Sequence, residues 1–333
     1  MGFSFFSRNE VRRPVPPAAE AQQVTATRAT LSEDWQARQK KLDWMHAPSM
    51  ASYVNQLVSG KPLSDGGHWS IYAREKHVEP LMRTVGRKLS MVSLACGSGH
   101  IERSLLVDFQ WPIGHFVGLE FDKVLRDTAE ASFRTLPCQS RFEFFDFNKP
   151  LRDIGKFDIV FTCHSIHHAN DVDQLLATAN RLLRGDGLFI GTDFFGPTRF
   201  QIDHEVLPIL NELFESLPPD IRKDLRSAET PIAEKFSYDT IDVVKAADPS
   251  ESVRSSDLRT LLFSSFPVVE VKPMGGTILR WLLQYRAGNF DEANPDHRCI
   301  VKLLQVIERE LIESRRTTCS LSSERALVFR DKP

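Results

Sequence analysis

The spacing of apolar positions changes along the chain. In "EDWQARQKKLDWM" after Ser32, in "ASYVNQLVSG" up to Gly60 and in "HWSIYAREKHVEPLMRTVG" up to Gly86, they recur with helical period, and Ser32 has the side chain of an N-cap. Past residue 90, short runs of apolar and β-favouring residues take over: "MVSLA" (91–95), "HFVGLE" (115–120), "FEFFDF" (142–147), "FDIVFTC" (157–163) and "GLFIGTDF" (187–194). Amphipathic stretches separate them, namely "HIERSLLVDF", "KVLRDTAEASFRTL" and "VDQLLATANRLLRG". Strands alternating with helices at this rhythm predict βαβ units, hence a parallel sheet covered by helices on both faces. "FPVVEVKP" and "RALVFRD", on either side of the helical "CIVKLLQVIERELIES", are predicted as strands six and seven, paired antiparallel at the edge.

Composition narrows the class. The 333 residues suffice for a sizeable core, and with 41% apolar residues, 26% charged and a net charge of −2 there is no basic footprint for nucleic acid or an anionic membrane. The five cysteines form no C-x-x-C pair and no regular framework, which argues against structural zinc or a disulfide scaffold and for a reduced, cytoplasmic setting. No apolar run reaches the roughly 18 residues of a membrane span. At the start, "MGFSFFS" has Phe6 where myristoylation wants Ser or Thr, and its apolar run stops at Ser7 and Arg8, so no signal peptide is expected. Residues 12–30, rich in Pro, Ala, Gln and Thr, read as a mobile leader.

Candidate chemistry begins at "SLACGSGHIE". Gly97 and Gly99 follow the first strand and precede a helix, so bare backbone and the free N–H groups of the helix start face the crevice where such sheets bind ligands. A dinucleotide fingerprint needs a third glycine where Glu102 stands, which weakens the nicotinamide reading without removing it. From here the chain resembles the class I S-adenosylmethionine-dependent methyltransferases, strongly over about residues 90–195. The resemblance implies an α/β, Rossmann-like, doubly wound seven-stranded sheet, mostly parallel with an antiparallel last strand, an N-terminal helical lid and a helical insertion after strand five. It places S-adenosylmethionine against Ala95, Cys96, Gly97, Ser98 and Gly99, with Ser93 and Ala95 standing where the family often has an acid and a glycine. It gives Glu120, followed by Phe121, the ribose hydroxyls, and Asp146 with Phe147 the adenine. Tyr72 and His164 complete the expected cofactor contacts, and Trp35, Trp44 and Trp69 belong to the lid.

Histidines crowd the end of the fourth strand. His168, His167 and His164 are candidate bases for an acceptor hydroxyl, His168 slightly favoured, because imidazole takes up a proton near neutral pH. No cysteine or carboxylate pattern near them completes a metal site, despite Asp171 and Asp173, so no metal is expected. Arg199, Gln201 and Arg254 are candidates for binding an anionic acceptor. The expected layout is a leader (1–30), a helical lid (31–88), the cofactor-binding core (89–197), an acceptor-side helical insertion (198–262) and the C-terminal part of the same domain (263–333). The expected function is methyl transfer to a small-molecule or glycan acceptor, at a hydroxyl oxygen, with the oligomeric state open and a homodimer among the options. A nicotinamide oxidoreductase and a catalytically silent cofactor-binding protein remain the alternatives.

Overall fold

Seven strands form one sheet in the order β3-β2-β1-β4-β5-β7-β6. The structure, a computed structural model, describes residues 42–226, 235–236, 241–314 and 323–330. The leader, Trp35 and residues 33–41 of the helix predicted from Ser32 lie outside them. The strands are β1 (Leu89–Leu94), β2 (Ile113–Glu120), β3 (Gln139–Phe144), β4 (Phe157–Cys163), β5 (Leu183–Phe195), β6 (Val268–Gly275) and β7 (Ser323–Arg330). The first five pair in parallel, and β7 runs antiparallel between β5 and β6, as the sequence pattern predicts. Every residue of β1 is buried, which is what a central parallel strand with helices on both faces requires.

Local chemistry sets the element ends. Asp122 caps the helix Lys123–Phe133 by accepting from the N–H groups of Val124 (2.7 Å) and Leu125 (3.0 Å), and Asp171 caps Val172–Leu182 through the N–H of Gln174 (2.9 Å). The helix predicted across 68–86 is present, with a wider π turn at Arg74–Val78 between the α-helical stretches Trp69–Ala73 and Glu79–Val85 and a right-handed helical backbone through both joins. Pro80 falls at the join and has no N–H to give to the turn before it. β3 is shifted from its predicted span: it pairs residue by residue with His115–Glu120 and stops where β2 stops, so Asp146 and Phe147 lie in the loop that follows.

The chain divides into two compact units. One comprises Val54–Ile202, Ser250–Gly275 and Ser320–Pro333, and holds the whole sheet. Val92, Leu94, Val117, Val160 and Phe189 belong to one of its core clusters, Met91, Phe116, Ile159, Phe161 and Ile190 to the other. In the other unit the fully buried Glu308 carboxylate accepts from the N–H groups of Gly276 (3.0 Å), Ile278 (2.8 Å) and Leu279 (2.9 Å), satisfying a turn and the start of the helix Leu279–Leu283. Trp44 is buried in this unit. The predicted insertion 198–262 is divided between the units, at Asp203 and at Pro249.

No helix among the described residues is long and apolar enough to cross a membrane. Cys96, Cys138, Cys163 and Cys299 carry no disulfide.

Candidate active site

The turn after β1 is built by backbone. Cys96 N–H donates to Leu119 O (3.0 Å) and Gly99 N–H to Cys96 O (2.9 Å), while Ala95, Gly97 and Gly99 all have positive φ. A Cβ added at Gly97 would meet no protein atom within 4 Å, so the turn leaves open space beside its backbone. Across that space stands Glu120, 7% exposed at the end of β2. Its Oε2 accepts from Gly97 N–H (2.7 Å) and its Oε1 from Asp122 N–H (2.8 Å), leaving each oxygen a lone pair for a further donor. Phe121 follows with 63% of its surface exposed and its ring 5.5 Å from that of Phe144, also exposed. An open glycine turn, a carboxylate aimed at it and an uncovered aromatic face are together what a nucleoside with a ribose diol needs.

Glu102 enters the same neighbourhood from the helix His100–Val107. Its carboxylate is buried, accepts from the Ser93 hydroxyl (2.6 Å) through Oε1 and has no hydrogen-bond partner at Oε2. Burial pushes the Glu102 carboxyl up to about 7, against the Ser93 hydrogen bond. The sequence shows Glu102 only as a departure from a glycine fingerprint; the fold sets it against Ser93.

Other predicted cofactor residues are placed differently. Asp146 pairs with Lys149 (2.9 Å) and accepts from Asn148 N–H (3.0 Å), contacts that hold its carboxyl below the usual range. With Arg126, Phe144 and Lys149 it lines an open groove beside β3. Phe147 is partly buried against the core, 5.3 Å from the Phe145 ring, and so packs rather than presenting a free face. Tyr72 is taken away from the turn: its hydroxyl bonds the Glu270 carboxylate (2.9 and 3.0 Å) on β6, at the far edge of the sheet from β3. Trp69 packs on the core edge-on to Trp111. Neither residue is where a lid over the turn would put it.

The His-rich turn lies at the carboxyl ends of β4 and β5. His164 has positive φ and donates its N–H to Thr192 O (2.8 Å). His167 is 5% exposed, and its Nδ1 is 2.6 Å from Asp193 Oδ1. Asp193 also accepts from the N–H groups of Ile166 (2.9 Å) and Phe194 (2.8 Å); burial raises its pKa, but the charge and hydrogen bond of His167 outweigh that and hold it low. Pinned and buried, His167 lacks the access that a base for an external acceptor needs. His168, half-buried, has Nδ1 3.0 Å from the Ser250 hydroxyl.

That hydroxyl belongs to a distant segment, 250–256, folded onto the turn. Val253 N–H donates to His167 O (3.1 Å), Arg199 N–H to Ser252 O (2.7 Å), and Glu251 Oε1 lies 3.7 Å from His167 Nε2. Gln201 donates to Arg199 O (2.9 Å), so both residues shape the strand-five turn. Arg254 pairs with two exposed acids, Asp173 (2.8 Å) and Asp257 (3.0 Å). Asp193 and Glu251 are the site residues that sequence reasoning missed. The pattern "GTD" at a strand end was the only local sign of Asp193, and Glu251 had none.

Comparison with known proteins places this geometry. Residues 92–191 match the family model described as "Methyltransferase domain". Over these 100 of its 333 residues the chain is similar to that methyltransferase domain family. Among curated relatives, "Arginine-hydroxylase NDUFAF5, mitochondrial" of Homo sapiens is 29% identical over 112 residues (33% of this chain, 30% of the relative). Its Mus musculus counterpart is 25% identical over 200 residues (59% of this chain, 50% of the relative), so the chain spans half or less of the length of either. Among solved structures, phosphoethanolamine N-methyltransferase 2 of Haemonchus contortus, in complex with S-adenosyl-L-methionine, is 13% identical, with 80% of this chain and 53% of that one covered and a TM-score of 0.47.

Proposed function

We propose that the protein is an S-adenosylmethionine-dependent methyltransferase acting on an oxygen nucleophile of a small-molecule or glycan acceptor. The observation that carries this reading is Glu120, whose carboxylate gathers the N–H groups of Gly97 and Asp122 at the open glycine turn. When bound, S-adenosylmethionine supplies a methyl group already made electrophilic by its sulfonium. The chain then has to hold an acceptor in line with that methyl, and alignment of this kind can account for about 7–11 kcal/mol of barrier. Ala95 to Gly99, Glu120 and Phe121 take the cofactor side in this reading, and the turn carrying Arg199 and Gln201 the acceptor side.

The test is thermal. S-adenosylmethionine, or its demethylated product, at 100 times its dissociation constant should stabilise the protein by about 2.7 kcal/mol, whereas NAD(H) should leave the melting temperature unmoved. The opposite pattern would refute the assignment.

A second reading, hydroxylation, is favoured by one observation: two histidines and a glutamate converge at the carboxyl ends of β4 and β5, a donor set that suits oxygen-activating iron. The curated relatives named above are hydroxylases by name. Such a reaction would place one atom of dioxygen into a C–H bond and release the other as water, drawing two electrons from a donor. Mass spectrometry of candidate acceptors separates the readings, since the product gains either CH2 or a single oxygen.

A further inference from the structure

We propose that His167, His168 and Glu251 form a binding site for a divalent transition-metal cation. One nitrogen from each ring and one carboxylate oxygen lie within 4.8 Å of one another. Two imidazoles and a carboxylate suit first-row divalent metals such as iron and zinc.

The surroundings of each ligand fit that role. Metal-binding imidazoles commonly give their second ring N–H to a carboxylate or another acceptor, which fixes tautomer and orientation. Asp193 stands 2.6 Å from His167 Nδ1, and the Ser250 hydroxyl 3.0 Å from His168 Nδ1. Nδ1 is engaged in both rings, and Nε2 of His167 lies 3.7 Å from Glu251 Oε1. Glu251 is 3% exposed. Its Oε1 accepts from the Ser252 hydroxyl (2.6 Å), but its Oε2 is buried without a hydrogen-bond partner. A carboxylate oxygen stripped of both water and donors is costly, and a cation offsets that cost. Two buried carboxylates, Asp193 and Glu251, flank the histidines, so a doubly charged ion that takes the place of the proton on His167 balances the charge of the site.

Backbone contacts hold the ligands together. Val253 N–H to His167 O and Arg199 N–H to Ser252 O tie the segment carrying Glu251 to the histidine turn. The location, at the carboxyl ends of parallel strands, is where such sheets bind their ligands. This is the donor set that favours the hydroxylation reading above, and the inference rests on its geometry, whichever reaction the protein performs.

Full-length protein stripped with a chelator is titrated with Co(II) and Zn(II) by calorimetry in the absence of S-adenosylmethionine, and the Co(II) form is examined by absorption spectroscopy. Saturable uptake of one ion per chain, with a visible band from nitrogen ligation, is expected. Glu251→Gln and His168→Ala should each weaken uptake at least tenfold, while calorimetry with S-adenosylmethionine monitors the cofactor reading separately. Because His168 is half-buried, its replacement serves as the deciding variant if Glu251→Gln does not fold. Absence of saturable uptake by the wild type, or uptake that His168→Ala leaves within twofold, overturns the site.

Discussion

Glu120 must serve two backbone donors and, in the proposed function, a ribose as well. Its oxygens already accept from Gly97 and Asp122, so the side chain fixes the shape of the turn before any ligand arrives. Glu120→Gln keeps size but turns one acceptor into a donor, and either Gly97 N–H or Asp122 N–H then faces an NH2 group. Hydrogen bonds to a charged group contribute roughly 1.5–3 kcal/mol, so affinity for S-adenosylmethionine should fall on the order of 10- to 100-fold with the fold intact. Isothermal calorimetry checks this, and a change below twofold would take Glu120 out of the site. At this scale the sequence is readable where function is local. Gly97 and Glu120 follow directly from strand ends, whereas the Ser93 and Glu102 pair could not be seen because side-chain direction on a helix depends on what the helix covers.

β6 and the helical segment from Trp69 to Val78 show how elements far apart in sequence are fastened. Glu270 on β6 accepts from Tyr72 (2.9 Å) and Lys76 (2.7 Å), and its Oε2 lies 2.9 Å from His77 Nε2. Burial raises its pKa, but hydrogen bonds from Lys76, His77 and Tyr72 outweigh this and bring it down to about 2. A folded pKa below the unfolded one means that the contribution is present above about pH 4.3 and is lost as pH falls towards 2. Glu270→Gln should therefore lower stability at neutral pH and flatten the loss between about pH 5 and 2, as followed by urea unfolding at a series of pH values. A variant with the same acid slope as the wild type would show that the cluster holds nothing. The place of Tyr72 is not legible in the sequence, because an aromatic on a helix before the core fits a cofactor contact or a fastening equally well, and its partner lies 198 residues away. Parallel strands were legible because burial on both faces leaves a continuous apolar signature. The end of β3 was not, since an edge strand stops with its neighbour and "FEFFDF" carries apolar residues beyond that point.

At the scale of the whole chain, buried acids set a second limit on stability, opposite in sign to Glu270. Glu102 in one unit and Glu308 in the other are both fully buried and both pushed up by desolvation, Glu308 in spite of three backbone N–H donors. For a carboxyl whose folded pKa is raised, the folded state prefers the protonated form. Its contribution is complete below the unfolded value of about 4.3 and is lost as pH rises through the folded value, about 7 for Glu102. The groups that bear on Glu102 are the Ser93 hydroxyl, its own backbone N–H, the Glu120 carboxylate and the Cys96 thiol, whose own pKa is driven up by burial and by Glu102 and Glu120. None is a cation, so ionised Glu102 meets no compensation among them. Glu102→Gln retains an oxygen to accept from Ser93 and removes the ionisation. Its stability relative to the wild type, measured by chemical denaturation without cofactor, should be nearly unchanged or lower at pH 5 and should improve steadily up to pH 8. A difference that stays level across that range would mean that Glu102 reaches solvent or a cation when it ionises, and that the alkaline limit of stability arises elsewhere in the chain.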